Sequence, residues 1–198
     1  MAVNSTMLDL GTVAPDFTLP DAAGDVVRSI DMYGVTGTLV AFVCNHCPYV
    51  RHIAPVFARR AEEWAAAGIG VVAINSNDAD SYPDDAPARM VTQAAEWGWT
   101  FPYLVDDDQK VAHAYRAACT PDFYLFDAAR RLAYRGRFDA ATPKNAEPVT
   151  GDALDAAVRQ VSAGTSVDVE QIPSIGCGIK WKKGNAPDAG GTGIIRLS

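Results

Sequence analysis

The feature that most constrains the fold is a continuously apolar run that leads directly into two cysteines and a proline. Residues 38–43, TLVAFV, have the length and composition of a buried strand. The next residues, CNHCP at positions 44–48, precede a segment with helical periodicity. The chain therefore passes from a strand into a helix at a Cys-x-x-Cys sequence, which predicts a layered α/β fold with thiols at the junction.

The remaining pattern continues this alternation of strands and helices. From Val50 to Trp64, apolar residues recur three and four positions apart, which indicates one amphipathic helix, and Pro55 inside it predicts a kink. Residues 71–75 indicate a second buried strand. Residues 164–198 are rich in Gly and Pro and are predicted to be irregular. The other predicted elements are strands near residues 17–19, 26–30, 101–105, 123–126 and 132–135 and helices over residues 87–97, 109–117 and 152–162.

Length and charge narrow the classes of function. With 198 residues, the chain is predicted to form one domain with a substantial core. A net charge of -7 argues against a broad nucleic-acid-binding surface. No apolar run approaches the roughly 20 residues that span a bilayer, and the first residues lack the basic and apolar regions of a signal peptide. We therefore expect a cytoplasmic protein without membrane or nucleic-acid partners.

The cysteines point to reactive sulfur rather than to a disulfide framework. Four cysteines in a chain of this length are not typical of a secreted, disulfide-rich domain. A helix N-terminus presents unpaired N–H groups and a partial positive charge, and both favour the thiolate, which is the nucleophilic form of cysteine. Because proline is favoured at the first helical position, Pro48 places Cys47 at the N-cap and Cys44 at the exit of the strand. This favours Cys47 as the nucleophile, with Cys44 as the alternative.

Several stretches outside the cysteine pair carry a family resemblance. APDFTL at residues 14–19 is similar to the opening of peroxiredoxins, and FPYLVDDD at residues 101–108 is similar to their Phe-Pro strand and Asp turn. Thr120-Pro121, ahead of FYLFD, resembles the cis-proline loop of the thioredoxin superfamily. SIGCGIKW at residues 174–181 resembles a peroxiredoxin-like subgroup. On these motifs, the chain resembles the peroxiredoxin-like (AhpC/TSA-related) branch of the thioredoxin superfamily.

This resemblance covers residues 11–163 and implies a fold and an activity. The expected fold is thioredoxin-like: a central mixed β-sheet with helices on both faces, an extra N-terminal β segment and an irregular C-terminal tail. The domain is expected to span residues 1–163, with residues 164–198 packing on it or trailing from it. The implied activity is that of a thiol-dependent antioxidant enzyme that reduces peroxides or exchanges disulfides without a cofactor. It would need a cellular reductant, thioredoxin or a low-molecular-weight thiol, and a homodimer is one candidate assembly.

The resemblance also gives a second estimate of where the nucleophile lies. IAP at residues 53–55 resembles the helix kink of thioredoxins, and the family's spacing counted back from it falls on Cys47, with Val50 in place of the usual second cysteine. Cys47-Pro48 is also similar to the Cys-Pro of peroxiredoxins. Cys44 is then a candidate resolving thiol, or else a small buried residue at the end of its strand.

Three positions depart from the patterns of the two activities. Peroxiredoxins carry a Thr three residues before the reactive cysteine and a Pro four residues before that Thr, and here these places hold Cys44 and Val40. The buried Asp that assists proton transfer in thioredoxins is replaced by Ala41. The sequence therefore lies between peroxide reduction and disulfide exchange and does not select one of them.

The other candidate residues lie in one loop and in the tail. Thr120 and Pro121 are expected to lie beside Cys47 and to offer backbone groups to an incoming thiol or peptide, unless their peptide bond forms an ordinary trans turn. Cys119, just before this loop, is a candidate resolving cysteine or a buried core residue. Cys177, in the tail, is a candidate resolving cysteine or a bystander thiol.

Two alternatives to catalysis remain open. Cys44, His46, Cys47 and His52 offer soft ligands for zinc or copper, although no second Cys-x-x-Cys completes a tetrahedral set, and the leading hypothesis assigns no metal. The other alternative is a thioredoxin-fold binding module without catalysis.

His46 has a separate role in the leading, catalytic hypothesis. There it tunes the pKa of Cys47 or shuttles a proton, unless it is a solvent-facing loop residue.

Overall fold

A five-stranded mixed sheet forms the centre of the protein in a computed structural model that describes residues 2–187. None of the helices in this range is both long and apolar enough to cross a bilayer. The strands are β1 (Ala2–Asn4), β2 (Thr18–Pro20), β3 (Val26–Arg28), β4 (Gly37–Phe42), β5 (Ile69–Asn75), β6 (Tyr103–Val105), β7 (Cys119–Thr120), β8 (Asp122–Asp127), β9 (Leu132–Gly136) and β10 (Ile175–Gly178). The α-helices are α1 (Pro48–Ala66), α2 (Pro87–Trp97), α3 (Lys110–Ala114) and α4 (Asp152–Ser162).

The central sheet has the strand order β6-β5-β4-β8-β9. β4 and β6 each pair with β5 in parallel, whereas β8 pairs antiparallel with both β4 and β9. α1 makes the long crossover that the parallel neighbours β4 and β5 require. β4 is buried along its whole length, with Val40 opposite Val72 on one side and Tyr124 on the other. The predicted mixed sheet is confirmed, and the Cys-x-x-Cys sequence follows its central strand.

Helices cover both faces of this sheet. Because side chains alternate along a strand, Leu39 and Ala41 pack into one apolar cluster, whereas Val40 and Phe42 pack into a second. The first cluster includes buried side chains of α1, α2 and α4, and the second includes those of α3 and of the N-terminal arm. The layered architecture predicted for the domain is therefore present.

Two smaller sheets flank the central one. β2 and β3 form an antiparallel pair, which supplies the expected N-terminal β segment. β1, β10 and β7 form a three-stranded sheet in which β10 is the middle strand. The expectation that the whole C-terminal extension is irregular is therefore wrong at Ile175–Gly178, while residues 188–198 of that extension lie outside the described residues. The glycines concealed this strand, because glycine has a low strand propensity.

Candidate active site

Cys47 occupies the N-cap of α1. Its backbone is extended, with φ -69° and ψ 121°, and Pro48 is the first helical residue. The Cys47 carbonyl accepts the N–H of Arg51 at 3.0 Å, so the thiol lies at the end of α1 that presents unpaired N–H groups. The residue is completely buried. The predicted start of the helix at Pro48 is confirmed.

The cis-proline loop lies against this sulfur. The Thr120–Pro121 peptide bond is cis, as predicted. The Cys47 Sγ lies 3.1 Å from the Thr120 carbonyl oxygen, which accepts a hydrogen bond from Cys47 when that thiol is protonated, and the Thr120 hydroxyl lies 3.4 Å from the Cys44 Sγ. The structure thus brings Cys44, Cys47 and Thr120 together. Peroxiredoxins carry a Thr at the position that Cys44 occupies here. In this chain a hydroxyl beside the sulfurs comes instead from Thr120, which lies on a different element.

The two thiols of the Cys-x-x-Cys sequence differ in their ionisation. The pKa of Cys47 is lowered to about 5, chiefly because Cys44 donates a hydrogen bond to its sulfur, while burial opposes the shift. The Thr120 hydroxyl and the backbone N–H groups of Val50 and Cys177 lower this pKa further. The pKa of Cys44 is raised instead, first by its hydrogen bond to Cys47 and then by burial. A Cys47 thiolate beside a Cys44 thiol is the state that a nucleophilic Cys47 requires.

Asp85 holds the loop that carries both cysteines. One oxygen of its buried carboxylate accepts the backbone N–H of Asn45 at 2.8 Å and that of His46 at 3.4 Å. The other oxygen lies 2.6 Å from the His46 Nδ1 and accepts the Asn77 amide at 2.8 Å. Asp85 carries no recognisable signal in the sequence, because it lies in a polar loop without any periodic pattern.

The ring of His46 is engaged by this neighbouring carboxylate. Besides its hydrogen bond to Asp85, the ring stacks on Tyr82 with the ring centroids 5.4 Å apart. The groups with the largest influence on the pKa of Cys47 do not include this ring. The observed contacts therefore assign His46 to positioning the loop, and its role in proton transfer stays a prediction.

Replacing Asp85 with alanine is expected to destabilise the fold by about 3 kcal/mol, because several buried hydrogen bonds lose their acceptor. Denaturant unfolding followed by circular dichroism measures the change. Asp84→Ala is the matched control: this side chain is exposed, and its removal should change the free energy of unfolding by less than about 0.5 kcal/mol. Equal effects of the two substitutions would contradict the role assigned to Asp85.

The other two cysteines lie on paired strands beside the loop. In the ladder between β10 and β7, Cys177 is opposite Thr120 and Gly178 is opposite Cys119. Because side chains alternate along a strand, Cys177 shares the face of Thr120, whereas the Cys119 thiol faces the other way. Cys119 is buried, and burial raises its pKa. The structure therefore brings Cys177, rather than Cys119, to the side of the loop that Cys47 contacts.

Metal binding would need a different set of ligands from the one that the sequence suggested. Within residues 2–187, Cys44, His46 and Asp85 converge, with their potential ligand atoms within 4.8 Å of one another. Cys47 and His52 do not belong to this group. Hydrogen bonds from N–H groups already engage both oxygens of Asp85. The contacts in this group are accounted for by its structural role in the loop.

Comparison with known proteins identifies the family of this chain. Residues 10–135, more than half of the chain, match the family model described as the AhpC/TSA family. The chain belongs to the AhpC/TSA family. The match includes both residues of the Cys-x-x-Cys pair and the cis-proline loop, so the AhpC/TSA region contains most of the site described here.

Two curated relatives align with this AhpC/TSA protein over part of its length. The thiol-disulfide oxidoreductase ResA of Geobacillus kaustophilus is 28% identical over 130 residues, which cover 62% of this chain and 66% of ResA. Rv2521 of Mycobacterium tuberculosis, provisionally named a peroxiredoxin, is 32% identical over 113 residues, which cover 57% of this chain and 67% of Rv2521. The match to ResA thus spans slightly less than two thirds of that relative.

Solved structures extend the similarity over nearly all of this AhpC/TSA protein. An uncharacterised conserved protein of Geobacillus kaustophilus is 48% identical, with a TM-score of 0.90 over 92% of this chain and 97% of that one. Thiol:disulfide interchange proteins share the fold at lower identity, with TM-scores of 0.62 and 0.59 at 21% and 17% identity. The predicted thioredoxin-like fold is confirmed.

Proposed function

We propose that the chain is a thiol-dependent oxidoreductase whose nucleophile is Cys47. The observation that carries the proposal is a sulfur with a lowered pKa at the N-cap of α1, in contact with the Thr120 carbonyl. Membership of the AhpC/TSA family and similarity to ResA, a thiol-disulfide oxidoreductase, support the same class of chemistry. Sulfur itself carries the two electrons in such reactions, so the proposal calls for no cofactor.

The proposed cycle passes through three states of the Cys47 sulfur. The thiolate attacks a disulfide sulfur to give a mixed disulfide, or a peroxide oxygen to give a sulfenic acid. A second thiol of the protein then attacks Cys47, forms an internal disulfide, and releases the substrate thiol or water. A reductant of the cytoplasm, thioredoxin or a low-molecular-weight thiol, returns both cysteines to thiols. The physiological role would be antioxidant defence or disulfide exchange.

Titrating the ultraviolet absorbance of the thiolate tests the proposal, because the measurement needs no reagent to reach the buried sulfur. We expect a transition in the wild-type protein with a midpoint near the Cys47 pKa of about 5. Cys47→Ser should remove it. Cys44→Ala should move it to higher pH, because the hydrogen bond from Cys44 is the largest cause of the lowered pKa. Cys44→Ser keeps a donor and should move it less.

Two results would contradict parts of this proposal. If the transition persists in Cys47→Ser and disappears in Cys44→Ser, then Cys44 is the ionised thiol and the choice of nucleophile is wrong. If every thiol of the wild-type protein is still protonated at about pH 8, above the range expected for an activated cysteine, the proposed function itself is wrong.

A further inference from the structure

β10 places Cys177 directly beside the proposed nucleophile. Cys177 is opposite Thr120 in the antiparallel ladder, and the Thr120 carbonyl lies 3.1 Å from the Cys47 Sγ. The Cys177 side chain also packs against the apolar cluster that contains Cys47. Burial, and then hydrogen bonding to Cys47, raise the pKa of the Cys177 thiol to about 11. β10 therefore holds a protonated thiol of the C-terminal extension close to Cys47.

β10 is anchored at both of its ends. Before the strand, the Ser174 hydroxyl donates to the Gly136 carbonyl at 2.6 Å, and the Ser174 carbonyl accepts the N–H of Ser5 at 2.9 Å. After the strand, the N–H of Ile179 donates to the Ala118 carbonyl at 3.0 Å. β1 and β7 pair with the two edges of β10. A chain that displaced β10 would have to break all of these contacts.

The strand also occupies the edge that a polypeptide substrate would use. Extended peptides bind many proteins by adding a strand to a free sheet edge, but the edge of β7 at Thr120 is already paired with β10. Gly176 approaches this loop so closely that a Cβ on it would lie 1.9 Å from the Thr120 carbonyl oxygen. Cys44 and Cys47 are both completely buried. A small oxidant fits this arrangement better than a disulfide carried on a polypeptide.

Exposure and leaving-group chemistry favour Cys177 over Cys44 as the second thiol. Of the four cysteines, Cys177 alone is partly exposed. A disulfide between Cys47 and Cys177 would keep one sulfur within reach of an external thiol, whereas one between Cys44 and Cys47 would join two buried sulfurs. Attack on the Cys177 sulfur would expel Cys47, which has the lower pKa, and thiolates of lower pKa leave faster.

We infer that Cys177 is the resolving thiol and that the substrate is a small hydroperoxide, with Cys47 as the nucleophile of the proposed function. The Cys47 thiolate attacks the distal oxygen, the O–O bond breaks, Cys47 becomes a sulfenic acid, and the departing alkoxide takes a proton from water. Cys177 then gives up its proton and attacks the Cys47 sulfur, so that the S–O bond breaks, water leaves and a disulfide forms. Two equivalents of an external thiol reduce this disulfide and are oxidised to a disulfide themselves.

Peptide mapping by mass spectrometry, after one equivalent of hydrogen peroxide, tests the role of Cys177. The wild-type protein should yield a disulfide between Cys47 and Cys177. Cys177→Ser should lose it and should give at least about tenfold more Cys47 sulfenic acid trapped by dimedone, because nothing resolves it. The rate of the first oxidation of Cys47 should change less than about twofold, since that step does not consume Cys177. Cys119→Ser should still form the Cys47–Cys177 disulfide.

Turnover with two substrates tests the substrate class. With dithiothreitol as reductant, we expect kcat/KM for hydrogen peroxide to exceed that for the disulfides of insulin by at least about tenfold. A Cys44–Cys47 disulfide in the wild-type protein, or wild-type behaviour of Cys177→Ser, would overturn the role of Cys177. Preferred reduction of insulin would overturn the substrate class. These results would leave Cys47 as the nucleophile, whereas a Cys47 that reacts with neither substrate would overturn the proposed function as well.

Discussion

Replacing Cys47 with serine is expected to lower the turnover of hydrogen peroxide by at least about a thousandfold, because a serine hydroxyl is not ionised near neutral pH and is a weak nucleophile without a base. The substitution keeps the size of the side chain and leaves Cys44 and Thr120 in place. Peroxide consumption with dithiothreitol as reductant measures the loss, and circular dichroism verifies that the variant is folded. Turnover within about tenfold of wild type would place the nucleophile elsewhere.

Cys47→Ser should also show how much the Cys47 thiolate contributes to the free energy of unfolding. The pKa of Cys47 falls from its ordinary value of 9.0 to about 5 in the folded protein, so the unfolded chain binds the proton more tightly. The stabilisation is complete above pH 9.0, declines as the pH falls, and is lost below about pH 5. The free energy of unfolding of the wild-type protein should therefore decrease relative to Cys47→Ser over this interval. A difference that does not vary with pH would show that Cys47 is not ionised.

Gly176→Val is expected to detach β10 from the loop and to open the site to larger reagents. A Cβ at this position would lie 1.9 Å from the Thr120 carbonyl oxygen, which is backbone and cannot swing aside as a flexible side chain could. The variant should lose the Cys47–Cys177 disulfide after peroxide treatment. Cys47 should react with a maleimide at least about tenfold faster than in the wild-type protein, because its thiolate becomes accessible. A labelling time course with peptide mapping measures both effects.

Gly178→Ala provides the matched control for this experiment. It adds a Cβ two residues further along β10, where the nearest atom is a methyl of Val3 at 3.6 Å, an ordinary contact. This variant should keep both the disulfide and the slow labelling of Cys47. If Gly176→Val and Gly178→Ala label equally slowly, β10 does not control access to the sulfur, and the preference for a small oxidant needs another cause.

The central sheet and the long helices are predictable from sequence because their signals are strong and local. The predicted helices over residues 87–97 and 152–162 have the same bounds in α2 and α4. The apolar run of β4 and the preference of Pro48 for the first helical position together place Cys47 at the start of α1. These local patterns determine the part of the site that the chain forms within a few residues.

The rest of the site depends on partners that are distant in the sequence. β7 has two residues and β10 contains two glycines, so neither carries an apolar alternation that would reveal it. Each exists as a strand only through its pairing with the other and, for β10, with β1. Asp85 is similarly hidden, because its importance lies in N–H groups of Asn45 and His46 far from it in the chain.

The pairing of β1 with β10 has a practical consequence for anyone who prepares this protein. Ala2–Asn4 pair with Ile175–Cys177, and Cys177 in turn pairs with Thr120, whose carbonyl oxygen lies against the Cys47 sulfur. A purification handle fused ahead of Ala2, or the residues left after its cleavage, would adjoin β1. β1 pairs with β10, the strand that carries Cys177. Samples that differ only at this terminus should be compared for thiol reactivity before their rates are interpreted.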